Sequence, residues 1–399
     1  MTFIDRYLEY ATPQTGAPRQ YHFYAAYAIL ATVIGRRATY HGAGGAKGPK
    51  LWMVILGPSY MAYKSTVTNI MSGVLREFYE PQAKEFLLPS SGSFESFVEV
   101  LSERSQGILI NDEFVSVLDW MDKKYNGELT GLLTKLYDYG SHTFTRRVGT
   151  RKNAQTYTIT DPFINAFYCS TFEWFNQKMN EGLIMGGFIP RHILIHVDAP
   201  STMVPITPPA DLALRDSLVS TLSEINTLPL GPMDYTPQAK KAFIDWYKEL
   251  VPRISKDANS MLQPILHRRM ADTHKFAMVH AAMRSSPLEM NMDDLDKATR
   301  ITEDLIQMAA FIVGGKINLN PFQAARQKVL DLITRYQHLN GVEGAPRHLI
   351  LKYAKMKARD FDEIIQTLEQ EGLIEIIPTK LTGGRPSSHY RLTEQLVEA

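Results

Sequence analysis

Cysteine is nearly absent. Cys169 is the single one in 399 residues, which excludes a disulfide framework and any cysteine-based zinc cluster. One lone thiol fits a reducing, cytoplasmic setting. Excess charge is absent too: 43 Lys and Arg stand against 42 Asp and Glu, a formal net charge of +1. No global field draws the chain to DNA or to an anionic membrane, so any nucleic-acid contact must come from a local patch. Long apolar runs are missing. The longest near the N-terminus, YAAYAILATVI at 24–34, is too short to cross a bilayer. No basic segment or cleavage-site pattern precedes it, so neither a membrane anchor nor a signal peptide is expected. Internal repeats and low-complexity tracts are lacking as well. What is present is ordinary for a globular protein, 44% hydrophobic and 21% charged residues, with length for two or three domains.

The pattern divides the chain into four segments. Residues 1–50 read as two helices, at 3–10 and about 21–36, followed by a basic, Gly-rich hairpin or loop at 36–50. Residues 51–209 alternate buried strands with helices. LWMVIL at 51–56 is a continuous apolar run, as expected of a strand covered on both faces. Further strands are expected at 86–88, 108–110, 163–169 and 192–197, with a helix at 93–104. That alternation predicts an α/β domain with a mainly parallel sheet. Residues 210–320 read as a helical lid or subdomain, including helices at 238–250 and 261–283. Residues 321–399 read helix, helix, helix, strand, turn, strand, the order of a winged helix-turn-helix.

The strongest local signal is GPSYMAYKST at 57–66, directly after a buried strand and before a helix. A P-loop needs this context: backbone N–H groups wrap phosphates, a Lys reaches the β/γ-phosphates and a Ser/Thr hydroxyl joins the Mg²⁺ shell. Gly57, Pro58 and Ser59 open the segment, and Lys64, Ser65 and Thr66 fit its last three positions. The glycines do not fit. Tyr63 stands where a glycine directly precedes the Lys in the consensus, and Gly57 lies one residue too far from Lys64. Because a bulky residue at positive φ is costly, the loop is expected to follow a different backbone path. The structural alternative is an ordinary strand-turn-helix with a solvent-exposed Lys64.

GILINDEF at 107–114 gives an apolar strand ending in Asp-Glu. Asp112 is positioned to hold the Mg²⁺ shell and Glu113 to polarise an attacking water, at the strand end where α/β folds bind ligands. A helix-capping acid pair is the plainer reading. The strand at 163–169 ends in Ser170 and Thr171, either of which can orient a water or cap a helix. GGFIPRHILI at 186–195 puts Arg191 before a strand, where it suits an arginine finger across a subunit interface or a surface ion pair.

In this order the N-terminal helices, GPSxxxxKST, strand-DEF, LYD at 136–138, TRR at 145–147, STFEW at 170–174 and GGFxxR at 186–191 resemble a known family. It comprises the P-loop ATPases of unknown function from plasmid, phage and integrative-element replication modules. These are similar to primase-associated helicases of the hexameric superfamily 3 and AAA+ type. The resemblance covers roughly residues 3 to 200, and members often carry a non-Gly residue before the Lys. It implies ATP and Mg²⁺ as cofactors and hydrolysis in a homo-oligomeric ring, a hexamer in such families, acting on single-stranded or forked DNA. It also implies a separate primase or polymerase as a partner.

At the C-terminus Lys380, Arg385 and Arg391 surround Gly383-Gly384, a basic hairpin tip able to track a phosphate backbone. The helix before it is acidic, with Asp360, Asp362, Glu363, Glu369 and Glu371, which argues for contact by the wing rather than by that helix. His267, Arg268, Arg269, His274, Lys275 and His280 crowd one helix of the lid. The spacing matches no zinc motif, and the cations read either as a second nucleotide sensor or as a solvated basic face. A kinase-like phosphotransferase is a third reading, which the tail's winged helix opposes.

Overall fold

The computed structural model describes residues 1–42, 45–59, 62–80, 86–122, 129–138, 143–148, 155–197, 204, 206–255, 262–284, 289–313, 321–337, 344–378 and 388–393. The chain forms two compact units, 1–317 and 318–399.

The first unit begins with α1 (Phe3–Ala11), started by a capping box in which Thr2 and Asp5 satisfy each other's backbone N–H groups. Next comes α2 (Arg19–Ile34), buried on almost every side. Its alanines, Ala25, Ala26, Ala28 and Ala31, have no bulk to hold neighbours away, and α2 packs against α1, the sheet and several other helices. A helix apolar all round belongs inside a core. A short hairpin, β1 (Tyr40–Gly42) and β2 (Gly45–Lys47), follows in the basic Gly-rich stretch.

The α/β part runs β3 (Trp52–Leu56), α3 (Lys64–Tyr79), β4 (Leu87–Leu88), α4 (Phe94–Glu103), β5 (Gln106–Asn111), α5 (Phe114–Asp122) and α6 (Leu129–Asp138). An antiparallel pair, β6 (Thr143–Val148) and β7 (Gln155–Thr160), comes next. Then follow β8 (Phe163–Ser170), α7 (Phe172–Lys178), α8 (Glu181–Met185) and β9 (His192–Ile195). Five of these strands form one sheet in the order β4-β5-β8-β3-β9, every neighbour parallel. All residues of β3, β8 and β9 are buried, as expected where helices cover both faces. Asn165, in the middle of β8, accepts from Leu51 N at 2.7 Å and donates to Thr32 Oγ1 at 3.1 Å. This satisfied polar link fixes the sheet to α2.

The helical part is α9 (Leu212–Thr227), β10 (Asp234–Tyr235), α10 (Pro237–Ser255), α11 (Gln263–Ala282), β11 (Glu289–Met290) and α12 (Met292–Phe311). It shares a hydrophobic core with α1, α2 and the sheet, so segments 1–50, 51–209 and 210–317 fold as one unit. Among the described residues no helix is long and apolar enough to cross a membrane.

The second unit contains α13 (Pro321–Tyr336), β12 (Ala345–Pro346), α14 (Arg347–Ala354), α15 (Ala358–Gln370), β13 (Ile374–Pro378) and β14 (Ser388–Leu392). Its three strands are antiparallel in the order β12-β14-β13. Phe361, Ile364, Ile365 and Leu368 turn one face of α15 into its core. Two of the acids flanking that face are neutralised, Asp362 by Arg347 at 2.6 Å and Glu371 by Arg326.

Candidate functional site

The strand order decides which residues meet. β8 lies between β3 and β5, so the C-terminal ends of all three open on one crevice. Gly57 N donates to Ser170 O at 3.2 Å, joining the end of β3 to the end of β8. The crevice is a cleft of about 580 Å³ lined by residues that include Ser59, Lys64, Ser65, Thr66, Asp112, Glu113, Ser170 and Thr171. That volume is ordinary for a small-molecule site. Residues spread over more than a hundred positions of sequence thus share one space.

Ser65 Oγ donates to Asp112 Oδ2 at 2.9 Å. A hydroxyl and a carboxylate so placed are the pair that fits a shared Mg²⁺ ion, which prefers oxygen ligands and keeps several waters. Lys64 Nζ folds back to donate to Gly57 O at 2.9 Å and Pro58 O at 2.8 Å. Partial burial pulls its pKa below the usual lysine value, and the nearby Cys169 and Glu173 oppose that shift. A phosphate would offer this ammonium stronger acceptors than two carbonyls. Gly57 is needed for close approach: a Cβ there would lie 2.8 Å from Tyr21 Oη and 3.2 Å from Ala62 Cβ.

Tyr63 overturns the expectation of a different backbone path at this position. It takes the left-handed conformation itself, φ 45° and ψ 33°, immediately before α3, and no side chain caps that helix. Its ring packs partly buried against the main core, which offsets the backbone cost. Tyr63→Val, with a branched Cβ, is expected to be less stable than Tyr63→Gly by about 1–2 kcal/mol, read from urea midpoints. Equal midpoints would mean that the left-handed backbone is not imposed on this residue.

Glu113 follows Asp112 and is exposed. Its backbone N–H donates to Asn111 Oδ1 at 2.8 Å, while Asn111 Nδ2 reaches Ser90 Oγ at 3.2 Å. Asn111 therefore ties the Asp-Glu turn to the loop after β4. Ser170 and Thr171 separate into two roles. Thr171 caps α7, accepting from Trp174 N at 3.2 Å. Ser170 Oγ is buried with no hydrogen-bond partner among the described residues, at the end of β8 in the cleft that Lys64 and Asp112 also line. An orphaned hydroxyl lining a polar cleft is a group awaiting a ligand or water. Glu173 and the exposed Trp174 complete the wall. Cys169 is buried and its thiol is pushed up to about 12 by that burial, so it is inert.

Two placements differ from expectation, that of Arg191 and that of the α11 cations. Arg191 is buried rather than free at a rim: it is 9% exposed, ion-paired to Asp138, and also donates to Gly187 O. It precedes β9, whose first residue pairs with Trp52, so it lies at the end of the sheet opposite Lys64. Arg268, Arg269 and Lys275 are at that same far end and are not lid sensors over the cleft. Arg268 pairs with Asp138, Arg269 donates to Pro190 O at 2.7 Å, and Lys275 binds Asp272 at 2.7 Å. Arg391 is paired with Glu375 at 2.8 Å. Lys380 and Arg385 lie outside the described residues.

No protein-family model and no curated protein sequence matches this chain. Among solved structures it is similar to the Orc1 protein of Aeropyrum pernix in complex with DNA, at 12% identity over 93% of this chain and 88% of that one. The TM-score is 0.24, too low for the likeness to assign anything.

Proposed function

We propose that the chain is an ATP-dependent DNA motor: a replicative helicase or helicase-like ATPase of a mobile genetic element, working as a homo-oligomeric ring. The observation that carries this reading is the convergence of Lys64, Ser65, Asp112, Glu113 and the unpartnered Ser170 on one cleft at the C-terminal ends of parallel strands. Each has a place in phosphoryl transfer to water. Lys64 neutralises the β/γ-phosphates. Glu113 accepts a proton from the attacking water, and Ser170 Oγ orients that water. Mg²⁺, held with Ser65 and Asp112, would neutralise the charge that builds on the transferred phosphoryl group. Arg191 has no place in this set: it lies at the opposite end of the sheet, buried, with one arm on Asp138 and the other on Gly187 O.

The second unit supports the DNA half of the reading. Its helices and antiparallel strands are consistent with a winged helix, and its wing sequence is basic. Neutralising Lys380, Arg385 and Arg391 together is expected to weaken single-stranded DNA binding. The log–log salt slope should flatten by about one for each phosphate the wing no longer neutralises. Unchanged affinity and slope would assign the wing to protein contacts or packing.

One observation favours a rival, a P-loop assembly factor that binds DNA without turnover. Tyr63 puts a large side chain where phosphate-binding loops use glycine. Phosphate release with Mg²⁺, with and without single-stranded DNA, separates the two. Sustained, DNA-stimulated turnover supports the motor, and nucleotide binding without turnover supports the rival.

A further inference from the structure

The far end of the sheet holds a second cleft, of about 540 Å³, between the β1–β2 hairpin, the entry to β3, the end of α6 and one face of α11. Lys47, Lys50, Arg268 and Lys275 line it, and Asp138 is the one carboxylate among its described lining residues. Arg191 shares that Asp138, so the carboxylate is already divided between two arginines. Lys275 shares Asp272 with the buried Arg269. In a chain with net charge +1, this leaves a local cationic surplus around one cavity.

Tyr137 organises the cations. Lys275 Nζ donates to its hydroxyl, and Arg268 Cζ and Arg191 Cζ lie 5.2 and 5.9 Å from its ring centroid, within cation–π range, so one tyrosine gathers three positive groups. Lys50 is buried and donates to Leu136 O at 2.9 Å. Burial and the charge of Lys275 bring its pKa down to about 7. Apart from Lys50, the described ion pairs set four cations, Arg191, Arg268, Arg269 and Lys275, against two carboxylates, Asp138 and Asp272, an arrangement that favours a further anion. The cleft also presents an aromatic side: Tyr40 lines it, its ring tilted 31° to that of His274 with centroids 4.5 Å apart.

We infer that this cleft is a second ligand site, distinct from the Lys64 cleft, that binds a nucleotide through its phosphate, either free or at the end of a nucleic-acid strand. The phosphate sits among Lys50, Arg268 and Lys275, within reach of Lys47 on the hairpin, and the base lies toward Tyr40. A phosphate competes with Asp138 for Arg268, and the planar guanidinium offers it a two-point contact. The inference does not depend on ATP binding at Lys64.

The test is calorimetric titration of the full chain carrying Lys64→Ala, so that the first cleft is silenced. The probes are AMP and a tetradeoxynucleotide with either a 5′-phosphate or a 5′-hydroxyl. AMP or the 5′-phosphorylated strand is expected to bind, and Arg268→Gln or Lys50→Met should each weaken that binding at least tenfold. Lys47→Gln, at an exposed hairpin position that does not threaten folding, should weaken it severalfold. Tighter binding of the 5′-phosphorylated strand than of AMP identifies the strand end as the source. Equal or tighter binding of AMP identifies the free nucleotide. Absence of binding by both phosphorylated probes, equal binding of the 5′-hydroxyl strand, or binding untouched by all three substitutions overturns the proposal.

Discussion

Replacing Lys64 with alanine is expected to remove ATP binding in the working concentration range and to cut turnover by at least about 10²-fold, the scale of losing one preorganised charge at a reacting phosphate. The effect is large because Lys64 is the cation that α3 delivers to this cleft. The ammonium donates to two loop carbonyls and is expected to exchange them for phosphate oxygens when nucleotide binds. The loop itself does not need the charge to fold: Gly57 is held by its bond to Ser170 O, and Tyr63 is packed against the core. A Lys64→Ala protein that melts like wild type yet fails to bind nucleotide is the expected outcome, checked by calorimetry. Wild-type affinity in that variant would remove Lys64 from the site.

Glu113→Gln separates binding from chemistry. Loss of the general base is expected to lower kcat by about 10²–10⁴-fold, while ATP still binds through Lys64, Ser65 and Asp112. The amide keeps the size and the backbone bond to Asn111, so the turn stays in place and only proton acceptance is lost. A fall in kcat without a matching rise in KM is the signature of an interaction used in the transition state alone. Asp112→Asn should differ by also weakening the Mg²⁺-dependent part of binding. Equal hydrolysis rates in wild type and Glu113→Gln would exclude Glu113 as the base.

Much of the sheet is legible in the sequence because its strands are short, continuous apolar runs ended by polar turns. LWMVIL forms β3, and ILI forms the centre of β5. The helix pattern at 93–104 matches α4, which the structure starts at Phe94 with Ser93 as its cap. The β6–β7 pair is not legible: TFTRRV and QTYTIT mix threonines and charges with few apolar residues, so no buried run marks them. Lys64, Ser65, Asp112 and Glu113 are legible as candidates because the first two open the helix after β3 and the last two follow β5 directly, the order expected of a phosphate-binding loop and its acidic strand end. Their meeting is not, since it depends on the strand order. Asn111 carries no sequence signal because its role, an acceptor for Glu113 N, is local geometry that any small polar residue could mimic.

Two residues show where sequence logic stops. The backbone penalty alone argues against a left-handed Tyr63, yet ring burial offsets a cost of that size, and the conformation persists. Arg191 has a glycine pair and a strand as its neighbours in sequence, which suggest a free rim position. Its partner Asp138 is 53 positions away, and only the packing of α6 beside β9's entry brings them together. Spacing cannot reveal a partner that the tertiary fold supplies.

Trp174 offers the most direct test that the Lys64 cleft is the nucleotide site. It is 48% exposed and lines the cleft beside Glu173 and Thr171. Its contribution is isolated by subtracting the emission of the Trp174→Phe variant from that of wild type during a Mg·ATP titration. A saturable change in that difference, absent when Lys64 is replaced by alanine, is the predicted result. No change up to millimolar ATP, or a change that survives Lys64→Ala, would contradict it.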